Sequence, residues 1–68
     1  MKVNISLHDG VDLNRFSDQL SSTGIRVSNK MDMLNMLTVE IPDQKTLQQV
    51  RGMQEVCAAE PDREVRAI

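Results

Sequence analysis

Four switches of hydrophobic period within 68 residues constrain this chain more than anything else in it. Val3, Ile5 and Leu7 alternate with Lys2, Asn4 and Ser6, the two-residue period of a strand with one buried face. After His8-Asp9-Gly10, the apolar residues Leu13, Phe16 and Leu20 fall at helical spacing, and Asp12 is placed to cap the first turn. Ser21-Ser22-Thr23-Gly24 closes that helix, with Gly24 suited to a left-handed cap. The period then returns to two. Ile25, Val27, Met31 and Met33 share one parity, interrupted by Asn29, against Arg26, Ser28, Lys30 and Asp32. Leu37, Val39 and Ile41 alternate with Met36, Thr38 and Glu40 in a third strand, and the link around Leu34-Asn35 is short enough for a hairpin. Pro42-Asp43 stops that strand and starts a second helix, striped by Leu47, Val50 and Met53 and ended by Gly52. Val56 and Ala58 open a fourth strand, which Pro61 terminates or bulges.

The order strand, helix, strand, strand, helix, strand predicts an α+β fold. With right-handed crossovers it is the ferredoxin-like βαββαβ sandwich, a four-stranded antiparallel sheet with two helices on one face. Residues 1–68 are expected to form a single domain, with 63–68 as an extended C-terminal tail. The other sheet face is left open and carries small polar residues. On this reading Met31 and Met33 point into the core with Ile25 and Val27, and Met36 lies on the open face. A chain of this size buries only about 60% of the surface its unfolded form exposes. One cysteine allows no internal disulfide. With Phe16 the sole aromatic residue, the core is expected to be aliphatic and methionine-rich, and the stability low.

Composition argues against several functions. The net charge is −2 and no basic run stands out, so binding to nucleic acid is not expected. The aromatics needed to stack bases are also missing. No apolar stretch approaches the roughly 18 residues of a membrane span, and MKVNISLHDG lacks a signal peptide's apolar run. With Met1 as the native start the protein would be cytoplasmic; a signal peptide already removed would make it secreted, and the sequence leaves both open. One histidine and one cysteine make no metal cluster. Asp9, Asp12 and Asp18 lack calcium-loop spacing, and Gly10 alone makes no phosphate cradle. No metal or cofactor is therefore expected. His8 reads as a turn residue without an orienting partner beyond Asp9, and Cys57 has no histidine near it in sequence. No catalytic set is visible, and the chain is not expected to be an enzyme.

Glu60 and Asp62, flanking Pro61, are the most suggestive polar pair. One reading leaves them as solvated turn carboxylates. The other uses their spacing. Two carboxylates separated by one residue leave a strand on the same side, where each can accept the unpaired N–H groups at the start of a partner's helix.

From Gly24 to Ile68 the pattern GIRV, then NMLTVEIP, then DQKTLQQVRG, then VCAAEPD resembles the propeptides of subtilisin-like serine proteases and their stand-alone relatives, the propeptide-type peptidase inhibitors. The carrying motif is Val56-x-x-x-Glu60-Pro61-Asp62, placed after the second helix. The first strand and helix fit the fold without diagnostic residues.

That resemblance implies a partner and a mechanism. The open sheet face would pack on two surface helices of a subtilisin-like serine protease, with Glu60 and Asp62 capping their N-termini. The tail would lie in the substrate cleft by strand addition. Ile68 would take the first specificity pocket, Ala67 the second, Arg66 the third and Val65 the fourth. Such propeptides also assist their own enzyme's folding. Ile68 departs from the family's usual larger, unbranched or aromatic residue, which implies weaker inhibition of a generic subtilisin or a different target. With no protease domain following, the chain is expected either to act in trans, if complete, or to be a fragment of a protease precursor, and to be a monomer when free. The rival expectation is a ferredoxin-like regulatory or dimerisation module.

Overall fold

The computed structural model describes residues 1–62. The expected tail, and with it Val65, Arg66, Ala67 and Ile68, lies outside the described residues. The elements are β1 (Lys2–Leu7), α1 (Leu13–Ser22), β2 (Arg26–Met31), a 3-10 turn (Asp32–Leu34), β3 (Met36–Glu40), α2 (Gln44–Arg51) and β4 (Val56–Pro61). The strands make one antiparallel sheet in the order β2-β3-β1-β4. This is the ferredoxin-like arrangement.

Both helices start where an aspartate can satisfy their free N–H groups. The Asp12 carboxylate accepts from the N–H of Asn14 and of Arg15, at 3.1 and 3.2 Å. The Asp43 carboxylate accepts from the Thr46 N–H at 2.9 Å and the Thr46 hydroxyl at 2.8 Å. Gly24 closes α1 at φ +88, a left-handed conformation that a side chain would strain. The chain then turns into β2, and the Ile25 N–H donates back to the Leu20 carbonyl at 3.1 Å.

One sheet face buries Val3, Ile5, Leu37 and Val39 against Phe16 and Leu20 of α1 and Leu47 and Val50 of α2. The buried core contains no methionine. Met53 only packs against its margin. The expectation of a methionine-rich core is therefore corrected: branched aliphatics and Phe16 fill it.

Met31 is misplaced by simple alternation because β2 carries a bulge, and Met33 because the strand ends at Met31 and a 3-10 turn follows. Val27 pairs with Val39, but Asn29, not Ser28, pairs with Thr38. Ser28 is the extra residue, and its hydroxyl donates to the Thr38 carbonyl at 3.1 Å. Strict alternation would turn Asn29 toward the helices. The bulge reverses the strand's faces beyond that point. Lys30 now pairs with Leu37 on the helix side, and its ammonium reaches Asn14 Oδ1 of α1 at 3.3 Å. Met31 pairs with Met36 on the open face. Met33 falls in the 3-10 turn and is 100% exposed.

A second irregularity sits in β4. Leu7 pairs with Val56 and Ser6 with Ala58, leaving Cys57 between them. Val56 and Ala59 consequently point inward, and Ala58 outward. The hairpin tip is fastened by Asn35 in the left-handed region at φ 52. Its carbonyl accepts from the Leu7 N–H at 3.0 Å, and its amide donates to the His8 carbonyl at 2.9 Å.

Candidate functional site: the open sheet face

With the helices on one side, the other face of the sheet displays three cross-strand rows. At the hairpin end stand Met31, Met36, Ser6 and Ala58. The middle row is Asn29, Thr38, Asn4 and Glu60. The last row is Arg26, Glu40 and Lys2, with Asp62 beside Lys2 through a 2.8 Å bond from its N–H to the Lys2 carbonyl. The face thus grades from thioethers through amides and hydroxyls to charges that alternate in sign. In the middle row the Thr38 hydroxyl donates to Asn4 Oδ1 at 2.9 Å, which satisfies an otherwise buried hydroxyl. A shallow groove runs along β1 and β4 between Asn4, Ser6, Met36, Ala58, Glu60 and Asp62.

Glu60 and Asp62 are both exposed. They stand one residue apart on the same face, so their Cα atoms are about 7 Å apart along the strand. Glu60 is held by the β1 ladder opposite Asn4, and Asp62 by its own N–H. These carboxylates are therefore mounted on paired backbone rather than on a loose turn. Pro61 fits between them because alternate residues of an edge strand direct their N–H groups away from the sheet.

The two sheet edges are blunted. On β4 the Arg51 guanidinium, from α2, donates through Nε to the Ala59 carbonyl at 2.9 Å, and Pro61 offers no N–H. On β2 the bulge at Ser28 breaks the ladder. Both devices discourage pairing with another chain edge to edge.

The remaining candidates for chemistry stay apart. The His8 backbone belongs to the turn that Asn35 and Glu55 hold, with its N–H donating to the Glu55 carbonyl at 3.0 Å. Cys57 is a free, exposed thiol at the β4 irregularity. Among the described residues, no three His, Cys, Asp or Glu side chains gather as a metal site. Nor, among the described residues, is any helix long and apolar enough to cross a membrane. Val65, Arg66, Ala67 and Ile68 lie outside the described residues.

Comparison of the chain with protein-family models, with curated proteins and with solved structures finds no match.

Alternation missed the place of Met31 on the open face, because it assumes an unbroken ladder. The only signal in the sequence was Asn29, a polar residue at an inward parity. The neighbourhood of Lys2 and Asp62 needs the β1–β4 register and could not be read from spacing.

Proposed function

We propose that this protein is an inhibitor of a subtilisin-like serine protease; assistance to that protease's folding is a further role that the propeptide resemblance implies. It binds by the open sheet face and inserts its C-terminal tail into the substrate cleft as a cleaved product would. The observation that carries this reading is the pair Glu60 and Asp62, exposed on one face of a ladder-held strand. A carboxylate at a helix N-terminus meets unpaired N–H groups and the positive end of the helix dipole. Two such groups on paired backbone can engage two neighbouring helices with little further loss of backbone freedom. The residues that follow, Val65, Arg66, Ala67 and Ile68, are the proposed insert, with Ile68 in the first pocket. A contact of this kind buries roughly 1,200–2,000 Å² in total.

The test is a titration against a panel of subtilisin-like proteases, beside a form lacking Val65 to Ile68. Inhibition by the full chain and its loss on truncation are expected. Failure of the full chain to inhibit any protease at micromolar concentration would reject the inhibitor reading. Equal inhibition by both forms would reject the tail mechanism.

A further inference from the structure

The methionines stay out of the buried core, with Met53 alone packed against its margin, and three of them gather at one end of the molecule. Met31 and Met36 are direct cross-strand partners on the open face, both half-buried. Met33 lies between them in sequence, in the 3-10 turn, and is wholly exposed. Leu34 beside it is 65% exposed. The buried core is built without a thioether, so a change of polarity at these sulfurs does not enter it.

We propose that Met31, Met33 and Met36 form a reversible oxidation site that regulates the open face. The regulatory half of this proposal rests on the docking reading above. The oxidant is a peroxide. Its terminal oxygen is transferred to the thioether sulfur, which loses two electrons and becomes a sulfoxide, while the peroxide is reduced to water or an alcohol. Exposure sets the order: Met33, wholly exposed, reacts first, Met1 at 41% exposure next, and the half-buried Met31 and Met36 follow. The sulfoxide of Met33 stays in solvent. Those of Met31 and Met36 place a strong, polar acceptor on the most apolar of the three described rows of the open face. Covering that oxygen with a partner removes its water without a matched donor, which weakens binding. Methionine sulfoxide reductases reverse the change.

The experiment exposes the protein to hydrogen peroxide and stops the reaction with catalase. Peptide mass mapping, circular dichroism and protease titration are then run on the same samples. Met33 should be oxidised ahead of Met53. Chains oxidised at Met31 and Met36 should keep the far-ultraviolet spectrum. Their inhibition constant should rise roughly tenfold or more, and return after treatment with the reductases. In a Met31→Leu, Met36→Leu double variant, the ratio of inhibition constants before and after peroxide should stay near one. A Cys57→Ser background run in parallel should show the same rise as the native chain, which assigns it to the methionines. Oxidation of Met53 ahead of Met33, or collapse of the spectrum, would overturn the site. An equal rise in the native chain and the double variant would overturn the regulation. If the reduced chain inhibits no protease, the docking reading and the regulation fall together. The oxidation order and the retained spectrum then still decide whether the site exists.

Discussion

Asp12 and Asp43 do the same work at the two helix starts with different partners. Asp12 takes two backbone N–H groups. Its replacement by Ala should cost about 1 kcal/mol, as loss of an N-cap does, measured by urea unfolding. Asp43 takes one backbone N–H and the Thr46 hydroxyl. First the Thr46 N–H and then its hydroxyl hold the Asp43 carboxyl below its ordinary value. A carboxyl lowered in the folded state favours folding while it is ionised. That contribution is full above the unfolded value, about 3.9, and is lost as pH falls through the lower folded value. A nuclear magnetic resonance titration should find Asp43 titrating below that value, and Thr46→Ala should move it back upward. An unchanged midpoint in Thr46→Ala would remove the hydroxyl from the explanation. Asn35 shows a third kind of single-residue control, since its left-handed backbone and its amide together tie the hairpin tip to the end of β1.

Among the elements, both helices were legible because each carries a polar cap followed by apolar residues at helical spacing, as in Asp12 with Leu13, Phe16 and Leu20. β1 and β3 were equally clear, since Val3, Ile5, Leu37 and Val39 keep strict alternation and all are buried. β2 and β4 were read correctly as strands but not residue by residue. Each inserts one residue, Ser28 or Cys57, and a bulge reverses every face beyond it. Periodicity cannot register an insertion, so it sent Met31 inward, and it ran the strand on through the 3-10 turn that holds Met33. The Glu60 and Asp62 pair was visible as a spacing, whereas its mounting on the β1 ladder required the register. The corrected facing can be checked directly. Met31→Ser and Met33→Ser should each lower stability by less than about 1 kcal/mol, as surface changes do, whereas a buried methionine truncated in this way would cost about 2–5 kcal/mol. A loss in the latter range for Met31 would restore it to the core.

The whole molecule is a small sheet-and-helix sandwich in which one aromatic side chain and short aliphatics supply the core. Phe16 is 2% exposed. Phe16→Ala should cost about 3–5 kcal/mol, comparable with all the stability a domain of this size usually has. The variant should therefore lack a cooperative thermal transition by circular dichroism, and a well-folded variant would show that the aliphatics alone suffice. With its edges blunted by Arg51, Pro61 and the Ser28 bulge, the molecule leaves the face opposite its helices as the proposed docking surface. Glu60 and Asp62 mark the margin of that face nearest the tail. The most direct test is the inhibition constant of Glu60→Ala, Asp62→Ala against a subtilisin-like protease that the native chain inhibits, measured alongside its melting temperature. Docking by helix capping predicts an affinity weakened at least about tenfold, a loss of 1.4 kcal/mol or more, at an unchanged melting temperature. An unchanged inhibition constant would contradict it.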